Sequence, residues 1–506
     1  MGHMIRTIIV WAKNHKLELF LLAAIVLISG FFRLYHVGGW MYLGADEGRD
    51  ALVVQQIVRD HQLVALGPAA SYNSSEFHTG PLYYYLIAPF FLLTNMSPAG
   101  GAWAVALSNV LATVMLYIIG RAFFSWRAGL MASFWFATSF VMVYYGRWMW
   151  NPNFMPLFTL ITVYGLYKLS VLNTEHRRYY YYFYGMFLMV GLTTQIHGSA
   201  LFALPAIVFL FWLIFRRSIR WWRYFIGLGI IAVTNIPLIL HDFRHQGANT
   251  KAFWHLITQS SSAQAMSIGE RFSRTFSAWR DFWYEALLHS HGRVILFALI
   301  VLSVGWLLWK MTAMARRRKW NVAVVILGLW LFVPFASFLF YKEFIAFHYF
   351  SLVYPLPFLL LAGALDSLSK RAWYRVSITL LAVALGTVQM FYSIQILRAL
   401  PRDAQRTVVY AVTLEEMRSA VTFIAHDSQG QAYDYRSLPA VKYDNGYAYL
   451  FSLEQDRPSL SPTPLHYVIV EGHKAPQPDI YPAGYLTGQE TFGHVTVFKF
   501  TGVPLQ

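Results

Sequence analysis

The chain reads as an all-α polytopic membrane protein of about eleven spans, with a small α/β domain at its C-terminal end. Three observations predict this. Hydrophobic residues make up 57% of the 506 and charged residues only 13%. Soluble domains carry about 25% charged residues, so this chain is neither a soluble multi-domain enzyme nor a disordered polymer. Apolar runs of about 17–22 residues, enough to cross a ~30 Å hydrocarbon core, recur as far as residue 397. Basic residues cluster in alternate loops between those runs, as cytoplasmic loops do.

Residues 1–4 read as a cloning remnant ahead of the first native Met. The apolar run 17–35 follows Lys13 and Lys16 and lacks a small-residue cleavage site, so it reads as a retained span rather than a cleaved signal. Further spans are predicted at 101–120, 127–145, 153–171, 179–196, 198–215, 222–241, 293–311, 320–341, 347–365 and 376–397. The run 81–94 is shorter, rich in Tyr, and holds Pro81 and Pro89, which suits an interfacial helix. Charge decides its status. The clusters Arg6/Lys13/Lys16, Arg121/Arg127, Lys168/Arg177/Arg178, Arg216/Arg217/Arg220/Arg223, Lys310/Arg316/Arg317/Arg318/Lys319 and Lys370/Arg371/Arg375 hold 20 of the 40 basic residues. With 81–94 left out of the membrane, every cluster falls on the cytoplasmic side; with it counted, five of the six move outside. Loops 36–100, 146–152, 242–292 and 342–346, and the C-terminus, are then external. The net charge of +16 is thus a topological signal, and no nucleic-acid partner is expected. The absence of Cys excludes disulfides and thiolate metal or redox sites.

The membrane domain is expected over 5–398. From 399 to 506 the character changes to 11 acids and 8 bases, one helical stretch at 413–426, and short β-rich runs at His466–Glu471 and His494–Phe500. Outside this tail acids are scarce, and five of them sit in the first external loop: Asp46, Glu47, Asp50, Asp60 and Glu76. Asp50, Asp60 and Glu76 read as wet surface charge. Asp46-Glu47 stands among apolar neighbours about ten residues after the first span. A carboxylate pair at a membrane surface can act as base, proton acceptor or metal ligand.

The order of further motifs carries a family resemblance. His78-Thr-Gly-Pro-Leu-Tyr-Tyr-Tyr85 follows the acid pair. One span ends in Gly120-Arg-Ala-Phe-Phe-Ser-Trp-Arg-Ala-Gly129, and the next emerges as Tyr144-Tyr-Gly-Arg-Trp-Met-Trp-Asn-Pro-Asn153. Late in the chain comes Phe347-His-Tyr-Phe-Ser-Leu-Val-Tyr-Pro355. Over roughly residues 17–365 this resembles the GT-C superfamily of membrane glycosyltransferases, in the bacterial branch similar to protein O-mannosyltransferases and aminoarabinose transferases. The resemblance implies a multi-pass protein of the bacterial inner membrane. It also implies a sugar donor on undecaprenyl phosphate or another polyprenyl phosphate, a cell-envelope glycan or protein as acceptor, and inverting transfer on the periplasmic face.

It further implies that Asp46 is the catalytic base, with Glu47 beside it. An acceptor hydroxyl needs a positioned carboxylate to take its proton, while a lipid phosphate leaves with its charge and needs cations rather than a general acid. Candidates to hold that phosphate are Arg147, His348, Tyr349, Lys342 and His78. Arg147 also suits a snorkelling interfacial role, relatives often have Arg-Tyr where this chain has His348-Tyr349, and His78 also suits a helix cap. Asn151, Asn153, Tyr83 and His197 are candidates for sugar or acceptor contacts, although a lone His such as His197 ordinarily packs as a core residue. His241, Asp242, Arg244 and His245 read as a solvated loop start rather than a metal site. Many relatives have a second acid where this chain has Asn151-Pro-Asn153. No cofactor is therefore expected to be required; a divalent cation, if used, would draw on Glu76.

Two rival readings share the sequence: an oligosaccharyl or ligase-type transferase on the same fold, and a non-enzymatic lipid or sugar transporter. Ligases ordinarily need a larger acceptor domain than this tail. Transporters place ionisable residues or broken helices mid-span, whereas these spans are nearly free of acids.

Overall fold

A computed structural model describes residues 14–69, 77–215, 219–258, 266–289, 292–341, 345–369, 372–399, 412–438, 445–459, 461, 463–472 and 483–502. Residues 1–4, Glu76 and Lys342 lie outside the described residues. Every one of the eleven runs expected to span is helical. Six helices are long and apolar enough to cross a bilayer alone: Lys16–Leu34 (α1), Ala99–Phe123, Asn151–Val171, Arg293–Arg317, Val322–Phe340 and Trp373–Gln395. Two further spans are bent pairs, Trp222–Thr234 with Ile236–Arg244 at 66° and Phe347–Val353 with Leu356–Leu368 at 50°. In each pair a proline, Pro237 or Pro357, stands in the first turn after the bend, where its missing N–H costs no helical bond. Ser199–Ile214 is shorter. The run 81–94 forms the helix Leu82–Leu93.

The third expected span breaks at Ser139 into Trp126–Thr138 and Phe140–Tyr145. A break exposes the carbonyls that the next turn would have bonded. Arg33, fully buried at the end of α1, fills that need: Nη1 donates to Ala137 O at 3.0 Å and Nη2 to Phe136 O at 2.9 Å and Met142 O at 3.3 Å. Arg147 does the converse. Its Nη1 and Nη2 donate to Phe32 O and Tyr35 O, each at 2.7 Å, closing the carbonyl end of α1. Each arginine therefore caps the other's helix, and backbone oxygens take the place of carboxylate partners for two buried cations.

The Gly120…Gly129 motif also has a packing reason. Helices Ala99–Phe123 and Trp126–Thr138 meet where a Cβ on Gly120 would lie 2.7 Å from Gly129 Cα, and one on Gly129 would lie 2.5 Å from Tyr117 O. Small residues let membrane helices approach this closely.

The expected loop 242–292 is not irregular. It contains helices Ala248–Thr258 and Ile268–Leu288. The latter starts at Ser267, whose hydroxyl accepts from Glu270 N while the Glu270 carboxylate accepts from Ser267 N, a capping box. It buries Thr275, Trp279, Phe282, Trp283, Ala286 and Leu287, one face at helical spacing.

In the tail, helix Leu414–Asp427 and helix Asn445–Leu453 pack with a four-stranded sheet: β1 Tyr433–Leu438, β2 Leu465–Glu471, β3 Leu486–Phe492 and β4 Val495–Thr501. The strand order is β1-β2-β4-β3, with β1 and β2 parallel and the other pairs antiparallel. Tyr467, Ile469, Val495 and Val497 join the main core, while Val468, Phe498 and Phe500 form a separate cluster on the opposite face, as period-2 alternation dictates.

Candidate active site

The site is built on a helix that no apolar run announced, Ala45–Val58, with Gly44 as N-cap. Asp46 and Glu47 lie in its first turn, where the helix dipole favours negative charge. Their environments differ sharply. The Asp46 side chain is 51% exposed and accepts a hydrogen bond from Arg49 Nη1 at 2.8 Å. Glu47 is 3% exposed. Its Oε2 accepts from Gly44 N at 3.1 Å and its Oε1 from Trp148 Nε1 at 2.6 Å. Burial, with the nearby Asp46 charge, pushes the Glu47 carboxyl up to about 8, and its hydrogen bonds pull the other way. Asp46 is thus the solvent-facing acid of the pair, and Glu47 is a strut between the helix and the loop after the third span.

Arg49 grips both sides of its own helix. Besides Asp46 it donates from Nε and Nη2 to Asp50 Oδ1 at 3.0 and 2.8 Å. Burial works against its charge, but the two carboxylates hold it above its ordinary value. Asp50 is fully buried, accepts from Tyr84 OH at 3.2 Å, and is pushed up to about 6 by burial despite Arg49. Tyr83 lies beside it, also fully buried, and among the described residues no hydrogen bond reaches its hydroxyl.

From Glu47 a continuous array of rings runs to the late motif. Trp148 stacks on Trp150 at 4.8 Å between centroids. Trp150 meets His348 at 4.4 Å, and His348 meets His197 at 5.7 Å and Tyr349 at 4.4 Å. Tyr145 bridges Trp148 and Phe347, stacked on both at 5.8 and 5.1 Å. His197 Nδ1 accepts from Ser199 N at 3.2 Å and contacts Ser199 Oγ at 2.8 Å. That leaves Nε2 as the protonated nitrogen of the neutral ring. Burial pushes its pKa down to about 4.

The structure therefore brings Asp46, Glu47, His348, Tyr349 and His197 to one region, joined by Trp148 and Trp150. The other candidates sit differently. Arg147 spends both terminal nitrogens on the carbonyls of α1. Asn151 Nδ2 donates to Ile196 O at 2.6 Å and Asn153 Nδ2 to Trp148 O at 2.9 Å, so both amides shape the loop that presents Trp148 and His197. His78 is tied away from the ring array. Its N–H donates to Asn249 Oδ1 at 2.8 Å, its Nδ1 contacts Gly67 O at 2.9 Å, and its backbone bridges Ala69. His241 and His245 stack at 4.0 Å, and Asp242 caps the helix start at Asn249 and Thr250. Among the described residues no three His, Asp or Glu side chains gather as a metal site would require. Sequence reasoning passed over Arg49, although its i+3 spacing from Asp46 on a helix predicts their pairing.

Residues 78–241 match the family described as dolichyl-phosphate-mannose-protein mannosyltransferase. No curated protein matches the chain by sequence. Among solved structures the fold is similar to ArnT from Cupriavidus metallidurans bound to undecaprenyl phosphate, at a TM-score of 0.60 and 13% identity over 96% of this chain and 98% of that one. The apo state of the same protein gives a TM-score of 0.60 at 14% identity, over 95% and 97%. The archaeal oligosaccharyltransferase AglB from Archaeoglobus fulgidus, in complex with an inhibitory peptide and a dolichol-phosphate, gives a TM-score of 0.50 at 14% identity, over 82% of this chain and 58% of that longer one. The chain is thus similar to that mannosyltransferase family over residues 78–241, and its fold is similar to that of ArnT along nearly the whole of both chains.

Proposed function

We propose that the protein transfers a sugar from a polyprenyl-phosphate donor, undecaprenyl phosphate in bacteria, to an acceptor hydroxyl of an envelope glycan or protein on the external face, with inversion. The observation that carries this reading is the contrast within the acid pair: Asp46 is exposed and steadied by Arg49, whereas Glu47 is buried and bonded at both oxygens. Support comes from the fold shared along nearly its whole length with a protein solved with undecaprenyl phosphate bound.

In this mechanism Asp46 takes the acceptor's proton as the glycosidic bond forms, and the bond to the lipid phosphate breaks with its electrons leaving on phosphate. The sugar lies against the Trp148 and Trp150 rings, and the phosphate lies toward His348 and Tyr349. A single displacement needs one base and a phosphate clamp, not two carboxylates flanking the bond.

The test uses purified full-length protein in nanodiscs with a panel of undecaprenyl-phosphate [³H]sugars and envelope extract as acceptor. Asp46→Asn should lose transfer by about 10³-fold or more, the scale of a lost general base with its electrostatics, while binding undecaprenyl phosphate normally. Full transfer by Asp46→Asn would sink the assignment.

A further inference from the structure

The helix that carries Asp46 is held from two sides. Glu47, Asp50 and Val54 face the membrane domain, where Trp148 and Tyr84 meet the two acids. Gly48, Ala51 and Gln55, at i, i+3 and i+7, share another face, and there the C-terminal domain docks. Gly48 lies so close to the start of helix Asn445–Leu453 that a Cβ on it would be 2.3 Å from Asn445 C and Gly446 N. A Cβ on Gly446 would be 2.1 Å from Leu43 O. Neither glycine has a positive φ, so the need is for space, not backbone freedom. Asn445 Nδ2 donates to Ala45 O at 3.0 Å, and Leu414 N donates to Met41 O at 2.7 Å. These two bonds bracket Gly44, the N-cap of the acid-bearing helix. Further along, Ser452 Oγ donates to Gln55 Oε1 at 3.1 Å and Tyr449 OH to Met96 O at 2.5 Å. Met41, Leu43, Ala51 and Val54 share one core with Leu414 and Tyr449.

We infer that the C-terminal domain is a working part of the site: its Asn445–Gly446 corner fixes the first turn of the Asp46 helix and so sets turnover rather than donor binding. This rests on the reading of Asp46 as base. Asn445 and Gly446 are positioning residues; they act through the backbone of residues 43–48.

The test compares Asn445→Ala, Asn445→Gln and Gly446→Val with wild type as full-length protein in nanodiscs, by amide exchange over residues 43–50 and by single-turnover transfer from the undecaprenyl-phosphate [³H]sugar panel. Losing one structural hydrogen bond corresponds to about a 3–10-fold change. Asn445→Ala should therefore speed exchange and slow turnover by about that factor, with undecaprenyl-phosphate binding unchanged. Asn445→Gln, which keeps an amide donor, should recover part of both, and Gly446→Val should lose more. Gly488→Ala, whose Cβ would meet Lys499 at an ordinary 3.6 Å, should match wild type. Unchanged exchange, or faster exchange with unchanged turnover, overturns the inference. If Gly446→Val fails to fold, Asn445→Ala decides. An active Asp46→Asn protein would instead strike the base assignment, and the exchange arm would still report on the brace.

Discussion

Glu47 offers a test of the site that needs no substrate. In the folded protein its carboxyl is pushed from 4.5 up to about 8, which makes ionising it there about 4–5 kcal/mol harder than in the unfolded chain. The folded state therefore holds a proton that the unfolded state gives up. The stabilisation is complete below pH 4.5 and is lost as pH rises through about 8. Asp50, at about 6, acts with the same sign but is spent by pH 6–7, so the window from pH 6.5 to 8 belongs to Glu47. Glu47→Gln cannot ionise. Its single amide oxygen can accept from Gly44 N or Trp148 Nε1 but not serve both oxygens' places, which costs about 0.5–1.5 kcal/mol. At pH 5 the variant should melt below wild type; near pH 8 wild type loses more than that difference, so the curves should cross. The assay is thermal melting of the full chain in nanodiscs from pH 5 to 8.5. Parallel curves for the two proteins would refute the account of Glu47 as a buried, proton-holding strut.

Other outcomes follow from the same geometry. Trp148→Phe keeps the ring stack but removes the bond that favours ionised Glu47, so ionising it becomes harder and the loss of stability should continue to higher pH than in wild type, with an unmoved onset set by the unfolded chain; the pH–melting profile reads it. Arg147→Lys loses the two-pronged grip on Phe32 O and Tyr35 O and should cost about 2–3 kcal/mol of stability. Undecaprenyl-phosphate affinity lost without a lower melting temperature would show that the guanidinium serves the lipid instead. Gly129→Val should block the close crossing with Ala99–Phe123, lowering yield of folded protein in fluorescence size-exclusion traces. Gly165→Val, with nothing within 4 Å of its Cβ, should not.

What could be read from the sequence was what depends on local composition. Apolar length marked the helical runs, a shorter Tyr- and Pro-containing run marked the helix Leu82–Leu93, and β-rich stretches marked β2 and β4 to within a residue. The acid pair stood out because charge is rare in this chain. What could not be read depends on contacts between distant residues. Arg147 looked like an anion ligand because nothing local shows that Phe32 O and Tyr35 O lie within its reach. Asn151 and Asn153 looked like sugar ligands, yet their amides close a loop. Helix Ala45–Val58 hid because its buried residues mix acids with small side chains, a pattern that tertiary packing, not amphipathicity, stabilises. The docking of the tail rests on two glycines whose role is to be absent as side chains, and no periodicity announces that.

The mutual capping by Arg33 and Arg147 carries a consequence for how the chain is made. Arg33 emerges from the ribosome about a hundred residues before the carbonyls of Phe136 and Ala137 that it will bind. A lone arginine at the end of a newly inserted helix is held at the membrane interface by water and lipid head groups. Only when the third span arrives, with its break at Ser139, can that cation be drawn into protein, and Arg147 then seals the first helix in return. The broken span thus supplies carbonyl partners that Arg33 lacks until residues 136–142 have been made. An Arg33→Leu chain should insert its first helix readily but leave the later break without a partner, so the defect should surface as degradation of the completed protein rather than as failed insertion.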